Sequence, residues 1–229
     1  MQTAYNEFPN IQASFDQYNN ACITSPSCHY VIPFYQTRDS LMDIETYKRF
    51  LDNAISRFRK SRTYSGYKGY LLNEINMDRC QFMSNINADM ASIEMHHNML
   101  TIYDIAVIIT EHILNTVGFI TTFDLVQLLK EEHKSNRIQL VMLSLTAHQL
   151  YHNSPDFYIH PSMCFGDWNA FLCKYSSGIT MEIAFKILFY IKKALEVGGS
   201  DDSGLLKVRD EIINWSELNG NSIINDLGL

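Results

Sequence analysis

The sequence lacks the features that mark membrane and secreted proteins. Its 229 residues contain no apolar run of about 18 residues and no leader-like N-terminus. The five cysteines also form no paired framework, as a disulfide scaffold would require: Cys22, Cys28, Cys80, Cys164 and Cys173. We therefore expect a reduced, cytoplasmic protein with no membrane partner.

Charge is scarce as well. Charged residues make up 19% of the chain and the formal net charge is -7, which argues against a protein that coats nucleic acid. The 46% of hydrophobic residues is ample for a globular core. Charge is nevertheless uneven, because residues 48–79 carry eight basic and three acidic side chains, a local excess of +5. Such a patch could neutralise phosphates, although a solvated helix face would have the same composition. The candidate nucleic-acid-binding residues are Arg57, Arg59, Lys60, Arg62 and Lys68.

Hydrophobic spacing indicates the first elements of the fold. Prolines at 9, 26 and 33 favour an irregular or partly extended lead-in over residues 1–40. Apolar residues three and four apart over 43–60 predict an amphipathic helix whose outer face is basic. The segment 67–97 has β-prone pieces on either side of a turn-like SNINAD, which predicts a hairpin ending near His97.

The second half of the chain is predominantly helical in pattern. Each of three helices is predicted to begin at a threonine cap followed by an acidic residue: Thr101 with Asp104, Thr121 with Asp124, and Thr180 with Glu182. The run IQLVMLS (138–144) fits a buried strand or the lead into a helix, and LTAHQLYHN after it is predicted to be helical. Further helices are expected near 168–175, 180–197 and 206–218. The predicted fold is therefore a helix-rich α+β domain with one small sheet.

Four of the eight histidines fall in two clusters. His96 and His97 end the predicted hairpin, whereas His148 and His152 are four residues apart and share a helix face. A neutral imidazole can bind a divalent metal or take a proton from water. Because successive residues of a strand point opposite ways, one of the first pair could hold a metal while the other acts as a base. The same residues could instead cap a strand and lie half-buried on the surface.

The order of these elements resembles the ββα-metal core of the HNH (His-Me finger) nucleases. LVMLSLTAHQLYH looks like the family's usual ending LVLLCPNCHRLIH, and CQFMSNINADMASIEMHH is similar to its Cys-led hairpin running into EVHH. The resemblance covers residues 78–153, about a third of the chain, and about forty inserted residues with two helices interrupt it. It divides the chain into an N-terminal region (1–70), an HNH-like core (71–160) with a helical insertion (101–135), and a C-terminal helical region (161–229).

The resemblance implies a role for each histidine of the two clusters. His97 would be the general base, and His96 and His148 would bind one divalent metal, Mg²⁺, Mn²⁺ or Zn²⁺, with His152 completing the metal site. Gln139 stands where the family has its asparagine and would orient His97. A structural zinc is not expected, because Met83, Ser144 and Ala147 occupy positions where other members have cysteines.

Two functions follow from this resemblance. The first is a metal-dependent endonuclease that hydrolyses nucleic-acid phosphodiesters with a His-activated water, acting on DNA. The alternative is a catalytically inactive HNH-like binding protein, for instance a phage anti-defence protein that sequesters a nucleotide signal or blocks a host enzyme. Gln139, the missing cysteines and the acidic total favour the alternative. A purely structural assembly protein is a third reading, and the apolar C-terminal helices would also suit a homo-oligomer.

Overall fold

The computed structural model describes residues 12–15, 21–25, 28–33, 35–154, 157–198 and 202–218. Among these residues lie eight α-helices: α1 (Ile44–Arg59), α2 (Arg62–Asn73), α3 (Ile102–Thr116), α4 (Thr122–Lys134), α5 (Leu145–Asn153), α6 (Trp168–Lys174), α7 (Met181–Gly198) and α8 (Ser203–Leu218). Seven short strands accompany them: β1 (Gln12–Phe15), β2 (Ala21–Ser25), β3 (Cys28–Pro33), β4 (Gln36–Thr37), β5 (Ile93–His97), β6 (Phe119–Ile120) and β7 (Leu140–Ser144).

The strands form small antiparallel sheets. β1, β2 and β3 pair in chain order within the predicted extended lead-in, while β4 pairs with β6 and β5 with β7. The helix-rich α+β class predicted from the sequence is confirmed, with three small sheets in the described residues where one was expected. The strand interpretation of IQLVMLS is also the correct one, because its last five residues form β7, which is buried and pairs with β5.

The predicted helix starts are confirmed. Thr101 and Thr121 each form a complete capping box with the aspartate three residues later. The Thr180 hydroxyl accepts a hydrogen bond from the Ile183 amide at 3.4 Å. These caps satisfy amide groups that have no partner within the helix, so they fix where α3, α4 and α7 begin.

The predicted hairpin before His97 is wrong in its first half. Residues 62–73 form α2 instead of a strand, because Ser61 caps the helix by accepting from the Tyr64 amide at 3.3 Å. Tyr67 and Leu71, four residues apart, then lie buried on one helix face. Between α2 and β5 the structure has only an isolated bridge between Arg79 and Asn87. The antiparallel partner of β5 is therefore β7, which lies beyond α3 and α4.

A single cluster of buried side chains extends along the chain from Leu41 to Ile212. It includes the inner face of α3 (Ile105, Ile108 and Ile109) and the apolar residues of β7. α1 and α2 pack against α4, and α5 packs against both β5 and β7. α5 therefore covers the sheet of β5 and β7, and consecutive residues of β5 point to opposite faces of that sheet.

Candidate metal centre

The two histidine clusters come together because β7 leads directly into α5. Ser144 ends β7 and caps α5, its hydroxyl accepting from the Ala147 amide at 3.4 Å. In the antiparallel pairing, His96 lies opposite Val141 and His97 opposite Leu140. α5 thus folds back beside β5 and carries His148 and His152 towards it.

His96, His148 and His152 converge. One ring nitrogen of each lies within 4.8 Å of the others. The three ring centroids are 4.8 to 5.1 Å apart, and the Nε2 atoms of His148 and His152 are separated by 3.2 Å. Two imidazole nitrogens bound to one tetrahedral Zn²⁺ at usual distances would be ~3.3 Å apart. The separation of His148 from His152 matches this value, and a ring nitrogen of His96 lies within 4.8 Å of both, so the three could hold one transition-metal cation.

His96 is the buried member of the three. Its side chain is 7% exposed, and its Nε2 atom has no hydrogen-bond partner among the described residues. Burial, followed by the positive potential of His148 and His152 when they are charged, lowers the pKa of His96 to about 3. The ring is therefore neutral at physiological pH and has a lone pair to offer. A buried nitrogen left unpaired costs about 1–3 kcal/mol, which a bound cation would offset.

Glu94 supports the centre, and the sequence reasoning missed it. Its Oε2 atom accepts a hydrogen bond from His148 Nδ1 at 2.6 Å. With His148 bound to Glu94 through Nδ1, its other ring nitrogen, Nε2, faces His152. The available signal was the strand period of two, because Glu94 and His96 share one face of β5.

His97 lies on the opposite face of β5, among aromatic side chains. It is 8% exposed, and its Nε2 atom is 3.0 Å from Nε2 of His133 in α4. Burial, then the charge of His133, holds the pKa of His97 well below the usual range for histidine. His133 itself packs against the rings of Phe58 and Tyr67. His97 is therefore a neutral imidazole that does not belong to the three-histidine cluster.

One cleft nevertheless borders both histidines of β5. Its volume is about 460 Å³, and its lining includes His96, His97, His148, His152 and Arg59. In the described residues β5 has a partner strand on one edge only. Side chains from both faces of the strand can therefore border the same opening along its free edge.

The other predicted site residues lie in different places. Gln139 is buried; its Oε1 accepts from Asn98 Nδ2 at 3.4 Å and its Nε2 has no hydrogen-bond partner in the described residues, so its side chain does not contact His97 through a hydrogen bond. Arg59 lines the cleft, whereas Arg62 borders a separate groove with Tyr70 and Lys134. The remaining three basic residues do not line the cleft: exposed Arg57 and Lys60, and half-buried Lys68.

Comparison with known proteins places the chain in a family. No curated protein and no solved structure matches it. None of the described helices combines the length and apolar character needed to cross a membrane. A family model described as bacteriophage G278-like virion protein matches residues 10–218, nearly the whole chain. The chain is thus a phage protein that belongs to the bacteriophage G278-like virion protein family.

Proposed function

We propose that this phage virion protein is a metal-dependent nuclease that hydrolyses nucleic-acid phosphodiesters. The observation that carries the proposal is the convergence of His96, His148 and His152 on a strand–strand–helix unit, beside a cleft that His97 borders. These three residues are the ones that the HNH resemblance implies as metal ligands. The ligand set implied by the resemblance is thus the set that converges in the fold, which supports the proposal, because residues 96 and 148 are far apart along the chain.

The donor set favours a particular class of cation. Three imidazoles suit Zn²⁺ and neighbouring transition ions better than Mg²⁺, which prefers oxygen ligands and keeps several waters. Three protein ligands would leave such an ion with room for a water or a substrate oxygen. When bound, such an ion would polarise the scissile phosphate and stabilise the leaving oxygen.

The side chains of the cleft supply the remaining chemistry. His97, as a neutral base, takes a proton from water while the water oxygen attacks phosphorus. The bond from phosphorus to the leaving oxygen breaks, the leaving oxygen takes a proton from solvent, and His97 returns its own proton to solvent. Arg59 lies on the same cleft and would neutralise part of the phosphate charge. No covalent intermediate with the protein is needed.

A second candidate is a protein that binds a metal and a nucleotide without cleavage. The depth of His97 favours it, because a base that is only 8% exposed and already bonded to His133 has limited access to water. This candidate predicts the same metal site and the same ligand contacts, but no turnover.

The test combines metal binding with a nicking assay. The purified chain is loaded with Zn²⁺, Mn²⁺ or Mg²⁺ and incubated with supercoiled plasmid and with single-stranded DNA. We expect one Zn²⁺ per chain, nicking with a transition ion, loss of both in His148→Ala, and loss of nicking alone in His97→Ala. His112→Ala is the matched control, since His112 bonds to Ser177 away from the cleft. Stoichiometric metal binding without cleavage of either substrate would refute the nuclease and support the binding protein.

A further inference from the structure

The hydrogen bonds of His133 determine where its single proton lies. Its Nδ1 atom is 2.7 Å from the Leu129 carbonyl oxygen, which can only accept a hydrogen bond. The proton of His133 is therefore on Nδ1. Burial lowers the pKa of His133 to about 4, so at neutral pH the ring carries no second proton. Its Nε2 atom consequently presents a lone pair.

This lone pair faces His97. The two Nε2 atoms are 3.0 Å apart, a hydrogen-bond distance that requires one proton between them. Because His133 Nε2 carries no proton, His97 Nε2 must donate it. As the base of the proposed function His97 is neutral, so its other nitrogen, Nδ1, carries the lone pair. The Leu129 carbonyl thereby sets the tautomer of His97 through His133.

We infer that His133 is the positioning residue of the proposed base: it holds His97 as the Nε2–H tautomer, which makes Nδ1 the nitrogen that accepts a proton from water. The inference rests on the proposed function, in which His97 activates water. The residue that orients His97 would then be His133, from a helix of the insertion, and not Gln139 as predicted from the sequence. The side chain of Gln139 bonds to Asn98. A hydrogen-bond partner of this kind fixes both the tautomer and the orientation of an imidazole.

Close packing and a nearby ion-pair network restrict the movement of the His133 ring. It is fully buried, with ring centroids of Phe58 at 4.6 Å and Tyr67 at 5.7 Å. The preceding residue, Glu132, anchors the end of α4: its buried carboxylate accepts from Arg137, Lys174 and Tyr175. α4 therefore cannot shift without disrupting a buried ion-pair network, which keeps His133 at hydrogen-bond distance from His97.

Nitrogen NMR of the Zn²⁺-loaded, ¹⁵N-labelled chain tests the tautomer directly. We expect His97 to be protonated at Nε2, with a scalar coupling across the N–H···N bond to His133 Nε2. The matched variants are His133→Gln, whose amide oxygen can still accept from His97, and His133→Leu, which keeps apolar volume but removes the acceptor. In the leucine variant we expect nicking to fall by roughly 10- to 100-fold with Zn²⁺ affinity unchanged, and in the glutamine variant to recover most of that loss.

The outcomes separate this inference from the proposed function. Protonation of His97 at Nδ1 in the wild-type chain overturns the inference, even if the chain nicks DNA. Unchanged nicking in a folded His133→Leu variant overturns the positioning role, with folding checked by thermal melting and Zn²⁺ binding. If that variant does not fold, the wild-type tautomer and the rate of His133→Gln decide: a rate near wild type with the Nε2–H tautomer supports the inference, and loss of the rate overturns it. Absence of nicking in the wild type refutes the nuclease, and with it the positioning role.

Discussion

Replacing His96 with phenylalanine should stabilise the metal-free protein while abolishing its response to metal. Phenylalanine keeps a flat aromatic ring, although a larger one, and this ring would remain packed against Tyr151, whose centroid is 4.3 Å from that of His96. The substitution removes Nε2, a buried nitrogen without a hydrogen-bond partner in the described residues. Leaving such a group unpaired costs about 1–3 kcal/mol in the free energy of unfolding, so its removal should recover about 1 kcal/mol. In a chain of this length that corresponds to a rise of about 2–4 °C in melting temperature.

The metal response provides the other half of the prediction. A ligand present at 100 times its Kd stabilises the folded protein by about 2.7 kcal/mol. We expect Zn²⁺ to raise the melting temperature of the wild-type chain accordingly and to leave His96→Phe unchanged. Differential scanning calorimetry with chelator and with Zn²⁺ measures both effects.

His112→Phe is the matched control, because the Nδ1 atom of His112 already has a partner in the Ser177 hydroxyl at 2.8 Å. This variant should lose stability without metal and keep the full Zn²⁺ response. A lower metal-free melting temperature for His96→Phe would refute the argument that the unpaired nitrogen is costly. A persistent Zn²⁺ response in that variant would refute its role as a ligand.

Three further predictions follow from the described contacts. Glu94→Ala should weaken Zn²⁺ binding by roughly 10- to 100-fold in isothermal titration. Glu45→Ala should leave the affinity unchanged, because Glu45 is an exposed carboxylate that does not line the cleft. Equal affinities of the two variants would contradict the supporting role of Glu94. Burial raises the pKa of Glu132, but hydrogen bonds from Arg137, Lys174 and Tyr175 outweigh burial, so the pKa of this carboxyl is lowered in the folded protein. The stability that Glu132 contributes is therefore complete above its unfolded pKa near 4.5, and it is lost as the pH falls through the folded pKa. Between pH 6 and pH 3 the urea midpoint should therefore fall less steeply in Glu132→Gln than in the wild type. At pH 6 this variant should lose about 2–3 kcal/mol in the free energy of unfolding, less than a fully buried pair would lose, because Arg137 and Lys174 are partly exposed. Parallel pH profiles of the two proteins would contradict this role of Glu132. Arg59→Gln should weaken binding to single-stranded DNA and reduce the salt slope by about 1, whereas Arg57→Gln outside the cleft should change neither, and equal effects would show that the cleft is not the contact surface.

Local signals in the sequence predicted the elements that local chemistry controls. A threonine followed three residues later by aspartate satisfies the first amides of a helix wherever that helix packs. The helix starts at Thr101 and Thr121 could therefore be predicted from the sequence. The four-residue spacing of His148 and His152 likewise places both rings on one face of α5. These features depend on few residues outside the element itself.

Features that depend on distant residues were not predictable in this way. The β-prone tyrosines of α2 suit a strand or a helix face, and the Ser61 cap together with packing against α4 determines the outcome. Nothing in the local sequence indicates that β5 pairs with β7, or that His133 meets His97 from the far side of the sheet. A histidine in the last turn of a helix, where His133 lies, often serves as a cation that complements the helix dipole. Burial among the rings of Phe58 and Tyr67 excludes that role for His133.

Because α3 and α4 lie between β5 and β7 in the chain, they would affect how the protein acquires the proposed metal ion. The chain from residue 98 to residue 139 must close before His96 meets the histidines of α5. Compared with a hairpin loop of about five residues, this closure is roughly three doublings longer and costs about 1.8 kcal/mol more in chain entropy. A chain whose insertion has not folded lacks the approach of His96 to His148 and His152, so high-affinity binding of the proposed ion would report that the insertion has folded. During assembly of a phage particle, metal loading would thus distinguish finished subunits from unfinished ones.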